Sequence, residues 1–146
     1  MRELIGRRIR KCNSMRILFV CSGNAHRSPL AEALLKKMRP DLEADSAGLH
    51  VAIPISEEVR VYLKKRDAEQ YLKKAPESLR SKRLDEYDCI VAMDQRHKDG
   101  VLTLCPECES KITVWNIEDP YFMEYEDAER IYKQIEDKVR ELAKSL

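Results

Sequence analysis

Met15-Arg16-Ile17-Leu18-Phe19-Val20-Cys21-Ser22-Gly23-Asn24-Ala25-His26-Arg27-Ser28-Pro29 is an apolar run that breaks into a polar loop and meets a proline. Its opening residues are mostly apolar and partly β-branched, as a buried strand requires. From Ser28 through Met38 the composition is helical. Pro29 suits a first helical turn, where its missing N–H costs nothing. The loop therefore joins a strand to a helix N-terminus. Backbone N–H groups in such a loop can converge on an anion, with the helix dipole behind them.

Five residues separate Cys21 from Arg27, a spacing that lets a short loop close around a phosphate with a sulfur beneath it and a guanidinium beside it. The attacking species in cysteine chemistry is the thiolate, which a helix N-terminus and a neighbouring cation favour. Cys21 is thus the expected nucleophile. Arg27 offers a planar fork that binds two phosphoryl oxygens at once and stays charged. The Ser28 hydroxyl can donate to the thiolate and favour it further. Gly23 permits close backbone approach, and Asn24 tolerates a left-handed backbone. With Ser22, Ala25 and His26 these residues form an expected phosphate-binding loop over positions 22–28. The pattern implies hydrolysis of a phosphoester through a phosphocysteine. A bare cysteine and arginine at this spacing would mean little; the reading rests on the agreement of strand, loop and helix start.

Downstream, Asp45-Ser46-Ala47-Gly48 closes a short second strand, and Ser56 can cap a helix containing Val59, Val61, Tyr62 and Leu63. A lysine-rich stretch from Lys73 to Arg83 leads through Leu84-Asp85-Glu86-Tyr87-Asp88 to the apolar strand Cys89 to Ala92. Ile112-Thr113-Val114-Trp115 reads as a fourth strand. From Asp127 the residues Ala128, Ile131, Ile135, Val139 and Leu142 recur at helical spacing, which predicts a long amphipathic terminal helix. Strands alternating with helices predict a single-domain α/β fold. Its parallel four-stranded sheet would carry helices on both faces, with the site at the carboxyl ends of the strands.

A chain of 146 residues is the size of one domain with a substantial core. Its net charge of +1 calls for no nucleic-acid or membrane partner, and no apolar run approaches the roughly 20 residues of a membrane span. We read a soluble, cytoplasmic protein. The 36% charged content, with few Asn and Gln, fits proteins of hot environments; a solvated helical surface fits the same numbers. Residues 1–14 form a basic extension without the apolar core of a secretory signal. A mobile arm, an interaction helix and an upstream start, with Met15 the natural one, all fit it, the last two better than the first. The domain proper is expected over 15–146.

Ile17 to Glu32 resembles the phosphate-binding loop of the low-molecular-weight protein tyrosine phosphatase family, whose fold is flavodoxin-like. Three further segments match in order: Ser46-Ala47-Gly48, Asp88-Cys89-Ile90-Val91-Ala92-Met93-Asp94, and Glu118-Asp119-Pro120-Tyr121. The resemblance implies a cysteine-dependent protein tyrosine phosphatase that hydrolyses phosphotyrosine on phosphorylated proteins, with other phosphoesters left open. It implies that Asp119 protonates the leaving oxygen and then serves as base toward water, a role worth roughly 10²- to 10⁴-fold. Taken alone, Asp119-Pro120 is only a turn signal. By the same resemblance Ser46 hydrogen-bonds Asn24 and holds its conformation, so that Asn24, Ser28 and Ser46 support the reacting groups from behind. No cofactor and no metal are expected, because Arg27 and the loop amides already offset the phosphoryl charge.

Two positions depart from the family. Many members carry a second cysteine just before the loop arginine, able to protect the nucleophile as a disulfide; this chain has His26, read as a solvent-facing loop residue in preference to a substrate contact. After Gly48 relatives often present an aromatic beside the phosphotyrosine ring, whereas here Leu49-His50-Val51-Ala52-Ile53-Pro54 follows. The substrate wall is then expected from Leu49, His50 and Tyr121, largely aliphatic. Ala25 stands where tyrosine phosphatases commonly have a larger aliphatic and the related protein-arginine phosphatases a threonine.

Cys105-Pro106-Glu107-Cys108 admits three readings: a candidate redox pair, an inert structural pair, or half of a metal site. As a redox pair it could exchange with Cys21 or shift the acid loop. The same pair keeps open a thioredoxin-coupled arsenate reductase, which would require a thioredoxin-type reductant as partner. A protein-arginine phosphatase and a non-catalytic phosphate-binding module are the remaining alternatives.

Overall fold

The apolar run folds as strand β1, Arg16–Cys21, at the middle of a parallel sheet. Strand β2, Glu43–Gly48, lies on one side; β3, Cys89–Ala92, and then β4, Ile112–Val114, lie on the other, giving the order β2-β1-β3-β4. Register runs from Arg16 opposite Glu43 to Cys21 opposite Gly48, and from Ile17 opposite Cys89 to Val20 opposite Ala92. This computed structural model describes residues 14–146. Of the expected extension, positions 1–13 lie outside the described residues. Ser14, counted with it above, is buried and donates from Oγ to Glu43 Oε2 at 3.2 Å, so it belongs to the packed domain.

The two-residue alternation of β1 feeds two cores. Ile17, Phe19 and Cys21 face helix α1, Arg27–Met38, and helix α4, Tyr125–Ser145, where Leu30, Leu34, Ile131, Ile135 and Val139 complete the larger cluster. Helix α2, Glu57–Lys64, adds Val59, Tyr62 and Leu63, while Val61 of the predicted set is exposed. Leu18, Val20 and Ile90 face the other way, toward Val101 of helix α3, Gln95–Leu104, and toward Leu79, Leu84 and Tyr87 on short 3-10 turns. Helices therefore cover both faces. Helix α4 starts two residues before the expected Asp127, its buried stripe beginning at Ala128 as predicted, and Ser56 caps α2 by accepting from Glu58 N at 3.1 Å. Among the described residues no helix is long and apolar enough to cross a membrane.

Because β1 connects to one neighbour and β3 lies on its other side, the chain diverges at the carboxyl ends of these two strands, where a crevice opens. Cys21 ends β1, Asp94 follows β3, and Asp119 follows β4.

The Cys105 and Cys108 sulfurs are joined as a disulfide, which removes the metal reading for this pair because both thiolates are consumed. The bond sits at the opposite end of α3 from Asp94, just before β4 begins. A ten-residue helix is about 15 Å long, so the pair lies at the amino-terminal edge of the sheet while Cys21 lies at the carboxyl edge. Direct exchange with Cys21 is thereby excluded, and so is contact with the acid loop, which leaves the far end of β4. The only other described free cysteine, Cys89, opens β3 opposite Ile17, again at the amino-terminal edge. An arsenate reductase relay, which needs further thiols within reach of the first, has none among the described residues.

Candidate active site

Cys21 is 2% exposed at the end of β1, and its Sγ lies 2.9 Å from Ser28 Oγ. Donor direction follows from the neighbours. Asn24 Nδ2 donates to Ser28 Oγ at 2.8 Å, so the hydrogen of Ser28 is free to point at the sulfur. Asn24 holds φ at 54°, the left-handed conformation expected of it. Its amide is oriented from the other side: Oδ1 accepts from Lys73 Nζ at 2.9 Å and from Glu77 N at 2.8 Å. Nδ2 also donates to Ser46 Oγ at 2.9 Å, the contact that the resemblance implies. Ser46 Oγ accepts again from Lys73 and donates to Glu32 Oε1 at 2.6 Å. A directed chain thus runs from the Lys73 ammonium through Asn24 and Ser28 to the Cys21 sulfur.

Arg27, 1% exposed, opens α1 and is clamped rather than free. Its Nη1 donates to Ile117 O at 2.9 Å and stands 3.6 Å from Asp94 Oδ2. Nη2 reaches Ser22 Oγ at 3.4 Å and Asp119 Oδ2 at 3.6 Å. Asp119 is about half exposed, with Oδ1 accepting from Tyr121 N at 3.1 Å. Sulfur, guanidinium and carboxylate all line one cleft of about 250 Å³, together with Ser22, Gly23, Ala25, His26, His50, Ala52, Ile53 and Tyr121.

Two expectations change. Leu49 does not line the cleft; it packs on the core beneath α3, where its Cδ2 lies 2.5 Å from the place a Gly100 Cβ would take. Ala52 and Ile53 join His50 at the wall in its stead. His26 is not solvent-facing: it is partly buried in the cleft, its ring 6.0 Å from that of Tyr121 in an edge-on arrangement. Burial holds its pKa below the ordinary value, against the pull of Asp119 and Glu58.

Other members of the arrangement were not singled out from the sequence. Glu32 lies in the apolar run of α1 one turn after Ser28, and a carboxylate there was a legible sign of a buried partner. Lys73 offered no such sign within its lysine-rich stretch. Asp94 belongs to a matching segment but had no assigned role, and His97 had none either. The His97 side chain is fully buried; Nδ1 accepts from Asp94 N at 3.0 Å, and Nε2 stands 2.9 Å from Ser22 Oγ.

The sequence profile described as low molecular weight phosphotyrosine protein phosphatase matches residues 16–146. The low molecular weight protein-tyrosine-phosphatase Wzb of Escherichia coli K12 is 33% identical over 147 positions, spanning 89% of this chain and 94% of its own. A protein named protein-arginine-phosphatase from Geobacillus stearothermophilus is 38% identical over 99 positions, 66% of either chain. Among solved structures, a low molecular weight protein tyrosine phosphatase from T. tengcongensis superposes with a TM-score of 0.82 at 32% identity, covering 91% of this chain and 100% of that one. With its loop, sheet order and acid segment in place, this chain belongs to the low molecular weight phosphotyrosine protein phosphatase family.

Proposed function

We propose that the chain is a cysteine-dependent protein tyrosine phosphatase, hydrolysing phosphotyrosine on protein substrates by way of a phosphocysteine. The observation that carries this reading is one cleft lined by the Cys21 sulfur, the clamped Arg27 guanidinium and the Asp119 carboxylate. Phosphate binding alone would require neither a thiol nor an acid.

In the first step Cys21 Sγ attacks phosphorus in line with the tyrosyl oxygen. The S–P bond forms, the P–O bond breaks, and the Asp119 carboxyl gives its proton to the departing oxygen. Arg27 and the amides of the loop offset the charge that builds on the other phosphoryl oxygens. In the second step Asp119, now a carboxylate, takes a proton from water, whose oxygen displaces sulfur from phosphorus. Inorganic phosphate leaves and the thiolate returns unoxidised. The cycle consumes only water and needs no external reductant.

The leaving group provides the test. Asp119→Ala should slow turnover of alkyl and unactivated aryl phosphates by roughly 10²-fold or more and p-nitrophenyl phosphate least, since a good leaving group needs no proton. Cys21→Ser should abolish turnover of all of them while inorganic phosphate still binds. Equal losses across leaving groups for Asp119→Ala would remove it as the acid.

A second reading concerns the phosphorylated residue. The Geobacillus stearothermophilus relative is named a protein-arginine-phosphatase, and Ala25, Ala52 and Ile53 make one side of the cleft aliphatic, leaving Tyr121, His26 and His50 as the rings beside a substrate. Comparison of kcat/KM on phosphotyrosine, phosphoserine and phosphoarginine peptides, with arsenate as a control, decides between them.

A further inference from the structure

His97 is a fully buried titratable group beside the site for which the phosphatase reaction has no task. It sits in the first turn of α3, and its Nδ1 caps the helix by accepting from Asp94 N. A neutral imidazole carries one proton. With Nδ1 occupied as an acceptor, that proton is on Nε2, which therefore donates to Ser22 Oγ at 2.9 Å. Burial, and after it the charge of Arg27, push the His97 pKa down to about 4, so the ring is neutral near pH 7. Ser22 Oγ accepts a second time, from Arg27 Nη2 at 3.4 Å. Two donors thus converge on the oxygen, and the hydroxyl hydrogen is left to point away from both. Ser22 lines the same cleft as Cys21 and Arg27.

We infer that His97 is a positioning residue, whose Nε2–H fixes the Ser22 hydroxyl so that its hydrogen faces the cleft as an added donor to the phosphoryl oxygens. This rests on the phosphatase reading above and extends it by one donor that does not come from the loop backbone. It also ties the first turn of α3 to the loop after β1, and through Ser22 to the Nη2 end of Arg27, the end that faces Asp119.

A helix cap alone would account for Nδ1 but not for Nε2, and substitutions can separate the two atoms. His97→Asn offers an amide oxygen near the position of Nδ1, retaining the cap, but is too short to reach Ser22. His97→Gln extends an amide N–H toward the position of Nε2. On p-nitrophenyl phosphate, His97→Asn and Ser22→Ala should each lower kcat/KM by about tenfold, the upper value of one hydrogen bond. The double variant should be no worse than either single, because both remove one donor. His97→Gln should recover to within about threefold of the unsubstituted protein. Additive losses of about a hundredfold, or full activity in Ser22→Ala, would overturn the inference; Ser22→Ala alters only a loop hydroxyl, so failure of a His97 variant to fold leaves that arm decisive. An unsubstituted protein with no turnover would overturn the phosphatase reading instead. The same cycle read as inorganic phosphate affinity by calorimetry then decides the His97 inference, non-additivity supporting it and additivity overturning it.

Discussion

Lys73 shows how much of the site rests on one residue that never touches the cleft. Its ammonium donates to Asn24 Oδ1, to Ser46 O and to Ser46 Oγ, and lies 2.7 Å from Glu77 Oε1 and 3.9 Å from Glu32 Oε1. Replacement by methionine keeps the length of the stem and deletes the donors. Lys73→Met should therefore lower stability by about 1–3 kcal/mol in urea unfolding, the cost of leaving buried acceptors unmet, and should weaken the hold on Asn24 in its left-handed conformation. His97 carries a pH dependence of definite sign. Its pKa falls from 6.5 to about 4 on folding, so the unfolded chain binds the proton more readily. The stability from the neutral buried ring is present above pH 6.5 and is lost as pH falls from 6.5 toward 4, by up to about 3 kcal/mol. His97→Gln, which does not titrate, should lose less stability over that interval; identical acid profiles would contradict the buried neutral ring.

At the scale of elements, the end of β2 is built against the loop after β1. A Cβ on Gly48 would lie 2.7 Å from Asn24 N, 2.8 Å from Gly23 C and 2.9 Å from Ser22 O, all backbone atoms with nowhere to go. Gly48→Ala should thus displace the loop and cost both stability and turnover. In α3, a Cβ on Gly100 would meet only the tip of the Leu49 side chain, which can rotate. Gly100→Ala should leave turnover within about twofold, with a gain in helix propensity of up to about 1 kcal/mol to offset the repacking. Kinetics and thermal unfolding of this pair of variants check both statements; equal damage from the two would show that the loop is not held by close backbone contact with β2.

Over the whole molecule, the parallel sheet separates two kinds of chemistry by its two edges. The carboxyl ends of β1, β3 and β4 bring Cys21, Asp94 and Asp119 together, while the disulfide of Cys105 and Cys108 closes at the amino-terminal edge. Replacement of both cysteines by serine should lower stability by about 2 kcal/mol for so short a loop and leave the peroxide sensitivity of Cys21 unchanged. Altered sensitivity would mean that a change at one edge reaches the other. Long-range contacts also join α2 and the turn after it to α4: Tyr62 Oη donates to Glu136 Oε1 at 2.6 Å, and Arg66 Nε to the same oxygen at 2.9 Å. Burial, and then the Glu136 carboxylate, hold the Tyr62 phenol above its usual range, so this link keeps its proton.

What the sequence by itself determined is the part that physics makes local. Strand, loop and helix start over Met15 to Pro29 follow from composition and from the backbone preferences of Gly23, Asn24 and Pro29. Alternating patterns then give the sheet with helices on both faces. Asp119 became legible only through the resemblance, since an Asp-Pro turn has no chemistry of its own. Tertiary structure alone decided the rest. Lys73, Glu77 and His97 reach the loop across 49, 53 and 75 positions, and no residue pattern encodes such pairings. Leu49 turned away because the core beneath α3 takes its side chain while Ile53 lines the cleft, and the cysteine pair was parted from Cys21 by the length of a helix. Hydrogen-bond direction, the orientation of an amide and the tautomer of a ring depend on which donors converge in space, and that is set only when the strands are aligned.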